Sequence, residues 1–243
     1  MLIIDIETTG LKISTSSITV IGTILYNTET KKMEQERCFN VMIDVDNKNT
    51  QNTVRTKNAL INMFSECVSI VAFNGIGFDM PFIVKWLQEE PLPDCAHVHD
   101  AAFTSLAPKY LDFCAICREL NGNYVSLKNI CILNEIQVAK SADGAQAVVW
   151  AKAKDWTRLT KYCMQDVVVL LELTRHALEH GLLFPNERMF VNQPPPKTTL
   201  LVFDKNFKAS RATGSVNKPE HTCTSTTLRA ENIHVVEFAD IFT

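Results

Sequence analysis

Met1-Leu2-Ile3-Ile4-Asp5-Ile6-Glu7-Thr8-Thr9-Gly10 sets two acids inside an apolar run. Leu2, Ile3, Ile4 and Ile6 give the run the character of a short buried strand. Asp5 and Glu7 lie two positions apart, so a strand projects both to one side. Two carboxylates among such neighbours repel, and desolvation drives them toward the neutral form. A divalent cation removes the conflict, because hard oxygen ligands suit Mg²⁺ or Mn²⁺. Read otherwise, the pair sits just past the strand's end, in water. The same stretch has no basic region before its first acid, so it does not read as a signal peptide.

Working outward, Ile18 to Tyr26 is β-branched and long enough for a central strand, and Met33 to Asp44 is a further strand candidate. The segments around them carry Gly, Ser, Thr, Asn and Lys, as loops or a hairpin do. From Thr53 to Cys67 the period becomes helical through Ala59, Leu60, Met63 and Phe64. Val68 to Phe73 is a compact strand, and Pro81 opens a helix reaching Leu87. His97 to Asp100 is predicted as a short strand, and Tyr110 to Leu120 and Leu127 to Leu133 as helices. Asp155 to His180 carries the longest apolar stripe, with Asp155 as cap and Gly181 as stop. This order predicts an α/β layer with a mixed sheet. Around residue 190 the character changes, at Gln193-Pro194-Pro195-Pro196 and the Thr- and Ser-rich stretch beyond it. We take residues 1–183 as the main domain and 184–243 as a C-terminal extension, partly irregular or disordered, with apolar islands at Leu200 to Phe203 and Ile233 to Phe242.

The chain has 243 residues, of which 46% are hydrophobic and 21% charged, which excludes disorder over its whole length. No apolar run approaches the roughly 20 residues that span a bilayer, so a soluble, intracellular protein without a membrane partner is expected. A formal charge of −3 is too low for gripping nucleic acid by broad phosphate neutralisation; a polyanion would need a local basic stripe or bound cations. Eight cysteines without a secretory signal read as free thiols. Cys114-Ala-Ile-Cys117, with Cys95, His97 and His99 nearby, is open to a metal knuckle or to small apolar residues on a helix and a strand.

Two further sites border apolar segments. Asn74-Gly75-Ile76-Gly77-Phe78-Asp79 follows the 68–73 strand, and its glycines allow a tight turn or a close approach to a ligand. Asp79 alone reads as a helix N-cap, a role compatible with a second one. Tyr162-Cys163-Met164-Gln165-Asp166 places Tyr162 and Asp166 on one helix face, beside the buried run from Val167 to Leu171. The bland reading of that pair is a half-buried tyrosine bonded to a neighbour.

Taken in order, these three motifs resemble the DEDD superfamily of 3′–5′ exonucleases in its tyrosine-containing, DEDDy branch, which includes proofreading domains of DNA polymerases. The Asn74–Phe82 and Tyr162–Val167 segments look most like the family B group. Ser126 to Ile130 and Asp143-Gly144 upstream of Trp150 are weaker echoes. The resemblance covers roughly residues 1–183; it leaves no room for a polymerase module and says nothing of the rest. It implies a ribonuclease H-like fold with a mixed five-stranded sheet, order 3-2-1-4-5, strand 2 antiparallel, flanked by helices. It implies release of nucleoside 5′-monophosphates from 3′ ends by two Mg²⁺ or Mn²⁺ ions. Asp5, Glu7 and Asp166 would hold one ion, Asp5 would also reach the second, Asp79 would orient both, and Tyr162 would position the attacking water. Thr8, Thr9, Gly10 and Leu11 would contact the terminal nucleotide, with Leu11 against the base or, alternatively, in the core. Asn74 would touch substrate or make an Asx-turn. Phe78 and Phe82 read as core. Lys128, Lys140, Lys152, Lys154, Arg158 and Lys161 would line a strand path or form a solvated helix face. Single-stranded DNA ends are the favoured partner. RNA remains the rival substrate, and a catalytically weak nucleic-acid or partner-binding module the rival class. The extension would recruit a replication or repair partner.

Overall fold

The computed structural model describes residues 1–89, 109–122, 124–137, 144–185, 198–203 and 209–211. They divide between two compact units. The first holds the described residues up to Asp112 and those from 144 to Leu171; the second holds the rest.

In the first unit, β1 (Leu2–Thr8) is the middle strand of a five-stranded sheet of order β3-β2-β1-β4-β5. β2 (Ile18–Asn27) runs antiparallel to β1, with Asp5 opposite Gly22, and β3 (Lys32–Phe39) runs antiparallel to β2. β4 (Ser69–Ala72) is parallel to β1, and β5 (Lys109–Asp112) is parallel to β4. This is the ribonuclease H-like sheet that the motifs implied. Leu2, Ile4 and Ile6 enter a core with Leu60, Met63 and Phe64 of α2 (Thr50–Glu66) and with Met80, Ile83 and Trp86 of α3 (Asp79–Gln88). Full burial of each such side chain contributes about 1.5–3 kcal/mol. α6 (Gly144–Lys152) and the first part of α7 (Trp156–His180) complete the unit.

Two expectations need correction. The strand predicted to Asp44 stops at Phe39, and residues 41–46 form the short helix α1 (Val41–Asp46). Its buried residues are Val41 and Asp44, three apart, which is a helical spacing rather than an alternating one. The helix predicted from Tyr110 starts only at Phe113, as α4 (Phe113–Asn121), because Tyr110 to Asp112 is the end of β5. A four-residue strand buried in a parallel sheet shows no alternation, so it merges with the helical period beside it. The strand expected at His97 to Asp100 lies outside the described residues, as do Cys95, Lys140, Asp143 and Ile233 to Phe242.

The second unit contains α4, α5 (Leu127–Leu133), the remainder of α7, and the antiparallel sheet β6-β7-β8 formed by Leu182–Pro185, Thr198–Phe203 and Ala209–Arg211. The Leu200 to Phe203 island is therefore strand. Asn134, just beyond α5, clamps β6 with both ends of its amide: Oδ1 accepts the Leu183 N–H at 2.7 Å and Nδ2 donates to the Leu183 carbonyl at 3.0 Å. The Phe113 and Phe203 rings meet edge to face at 6.0 Å. Cys114 and Cys117 are buried thiols on α4 that form no disulfide. No helix among the described residues is long and apolar enough to cross a membrane.

Candidate active site

Strand alternation sends Leu2, Ile4 and Ile6 into the core and turns Asp5 and Glu7 to the opposite face of β1. The ladder to β2 shifts register between Glu7 and Thr8, a bulge of the kind that re-aims side chains beside a site. α7 covers this face at Gly22. A Cβ built on Gly22 would stand 2.9 Å from Val167 Cγ2, 3.0 Å from Cys163 Sγ and 3.1 Å from Met164 Sδ, so only glycine admits the helix this closely. The Cys163 thiol donates to the Asp5 carbonyl at 3.5 Å. Asp166, one turn further along, then comes to Asp5 and Glu7: one carboxylate oxygen from each of the three lies within 4.8 Å of the others. Glu7 and Asp166 are buried and Asp5 is half-buried. Three carboxylates this close and this dry need a countercharge, and three hard oxygen donors fit a divalent cation of the Mg²⁺ or Mn²⁺ type.

Tyr162 is buried on the same helix, its ring edge-on to Trp150 of α6 at 5.8 Å and 66°. Burial first, then the Asp166 and Glu7 charges and a hydrogen bond with Asp166, holds its phenol well above the ordinary range. Tyr162 is thus a proton donor at any physiological pH.

Asp79 is not one of these three acids. It does not cap its own helix; Phe78 occupies the N-cap position without a side-chain bond. Its Oδ1 instead accepts the N–H of Ile6, between the two acids of β1, at 3.1 Å. β4 has ended at Ala72, and the carboxylate continues the bonding along that edge of β1. Burial, and then the neighbouring Asp112, holds the Asp79 carboxyl well above the usual carboxylate range.

Asp112 and Trp150 are the residues that sequence reasoning missed. Asp112, buried at the end of β5, accepts the Asn74 N–H on Oδ1 at 2.8 Å and the Ile76 N–H on Oδ2 at 3.0 Å. It thereby holds a turn in which Asn74 has φ +64°. A Cβ on Gly75 would collide with the Tyr110 hydroxyl and with Ala72, which accounts for glycine there. The acid at a strand end facing a glycine turn was the available signal, hidden by the helical reading of 110–120.

Beyond Glu7, Thr8 is buried and its hydroxyl donates to the Gly10 carbonyl at 2.7 Å, with Thr9 and Gly10 half-buried. Leu11 is 82% exposed, which excludes the core-packing alternative. Phe82 is core, with Phe78 against it. Of the cations proposed for a strand path, Lys154 pairs with Asp46 at 2.8 Å and Arg158 with Asp155 at 3.3 Å.

Residues 2–178 match the model of the RNase_H superfamily, and the chain belongs to that superfamily. No curated protein sequence matches it. Among solved structures it is similar to E. coli exonuclease I in complex with a dT13 oligonucleotide (12% identity, TM-score 0.46, 72% of this chain and 40% of that one). It is also similar to the same enzyme in complex with a 5cy-dA13 oligonucleotide (13% identity, TM-score 0.44, 72% and 39%). A product-bound structure of exonuclease I matches at 14% identity and TM-score 0.40, over 74% of this chain and 46% of that one. The chain spans less than half the length of these structures.

Proposed function

We propose that this protein is a DEDDy-type 3′–5′ exonuclease that hydrolyses the terminal phosphodiester bond of nucleic acid, with single-stranded or frayed DNA ends favoured, and releases nucleoside 5′-monophosphates. The observation that carries the reading is the convergence of Asp5, Glu7 and Asp166 within 4.8 Å, with Tyr162 on the same helix bonded to Asp166. Asp5, Glu7 and Asp166 would hold a Mg²⁺ or Mn²⁺ ion, with Asp5 shared with a second. When bound, such a pair activates water and neutralises charge on the scissile phosphate. Asp79 would orient both ions, and its bond to the Ile6 N–H holds the β1 backbone between the two acids. Tyr162, kept protonated, orients the attacking water by a hydrogen bond and does not itself take a proton. Thr8, Thr9, Gly10 and Asn74 border the terminal nucleotide, and Leu11 offers an apolar surface to its base. On this reading the nuclease domain takes in residues 1–183, and residues 184–243 are an extension for a replication or repair partner.

Oligonucleotides labelled at the 5′ or the 3′ end, digested with and without EDTA, test the proposal. The 5′ label should appear in a ladder shortening from the 3′ end, the 3′ label in mononucleotide at the earliest times, and EDTA should stop both. Internal fragments, or digestion indifferent to EDTA, would refute it.

A further inference from the structure

The segment that leaves the acids is a closed loop. At its base the Thr9 N–H donates to the Ser17 carbonyl at 3.0 Å and the Ser17 N–H donates to the Thr9 hydroxyl at 3.1 Å. Inside it the Thr15 N–H donates to the Lys12 carbonyl at 3.0 Å. Ser16 is buried, and its Oγ would stand 2.8 Å from a Cβ on Gly10, so the two limbs of the loop touch. Residues 11–15 are all exposed, Leu11 and Ile13 among them. An exposed loop of this kind would ordinarily wander, and ordering it on binding would cost affinity.

One side chain from outside the loop reaches it. Lys85 of α3 donates from Nζ to the Ile13 carbonyl at 2.8 Å and to the Ser16 carbonyl at 3.3 Å. Glu89, the C-cap residue of α3, lies 3.7 Å from the same ammonium. The two loop carbonyls take two of the ammonium's three donors, and the carboxylate adds charge at ion-pair distance. Lys85 thus turns hydrogen-bond donors to the protein's own backbone.

We propose that Lys85 is a positioning residue for substrate: it braces the 9–17 loop on α3 so that Leu11 is already in place for the 3′-terminal base. This rests on the exonuclease reading above. The full-length chain and its K85M, L11A and double variants are compared by three measurements. These are hydrogen exchange of the 9–17 amides, affinity for a fluorescent single-stranded oligonucleotide in Ca²⁺, and steady-state hydrolysis in Mg²⁺. In K85M the loop amides should exchange faster, while Mn²⁺ affinity is unchanged. Kd and KM should rise about fivefold with kcat within about twofold, the pattern of lost binding rather than lost chemistry. The double variant should be no worse than the poorer single one, because both act through Leu11. Unchanged loop exchange, or effects that add in full, would overturn the proposal. So would a salt dependence of Kd flattened by about one charge in K85M, which would make Lys85 a phosphate contact. A wild-type chain that binds oligonucleotide without releasing nucleotide would sink the exonuclease reading alone, since exchange and affinity still judge Lys85.

Discussion

Tyr162 is held from three sides: by Trp150, by Asp166 and by the helix that carries it. Tyr162→Phe should slow nucleotide release roughly 10- to 100-fold, the size of a positioning effect, while Mn²⁺ titration shows unaltered affinity. Asp5→Ala and Asp166→Asn should abolish release with thermal melting close to the parent's. Asp112→Asn tests the acid under the turn. One of its two acceptors becomes an N–H facing an N–H, so urea unfolding should report a loss of about 1–3 kcal/mol. The convergence of the β1 and α7 acids was legible because two acids two positions apart in a buried strand, and a third beside a buried helix run, all call for a countercharge. Asp112 was not, because it serves two backbone N–H groups of a turn some 36 positions upstream, and no local pattern records such a bond.

At the scale of elements, the meeting of α7 with the β1–β2 pair decides whether the acids converge. Gly22→Ala places a methyl within 3.1 Å of three α7 side chains, so the helix must move away from Asp5. Overpacking of this kind costs about 1–3 kcal/mol. Here we expect a lower Tm together with weaker Mn²⁺ binding, since Asp166 travels with the helix. α5 and α7 could be read from their apolar residues, and α7 also from its cap, Asp155; the Ser126 cap of α5 emerges only in the structure. β5 could not, because its four residues are too few to show a strand's alternation. The closeness of α7 to Gly22 was equally hidden, since a glycine inside an apolar strand does not announce what lies over it.

For the whole molecule, the formal charge of −3 understates how unevenly charge is placed, with three carboxylates meeting in one dry spot. The folded state should therefore bind divalent cations that the unfolded chain does not. At a concentration a hundred times Kd, such binding adds about 2.7 kcal/mol of stability. Mn²⁺ should raise the Tm of the parent protein and leave that of Asp166→Asn nearly unmoved; equal shifts in both would place the cation elsewhere. EDTA should lower the Tm of the parent without unfolding it at room temperature.

The helix α3 reaches β1 through Asp79 and the neighbouring loop through Lys85. It acts as a yoke, tying the strand that carries two of the acids and the loop beyond them to one helix. The exposed tip of that loop, residues 11–15, is consequently interchangeable: transplanting a different sequence there, with Thr9, Gly10, Ser16, Ser17 and Lys85 retained, should retune which ends are accepted without disturbing the acids.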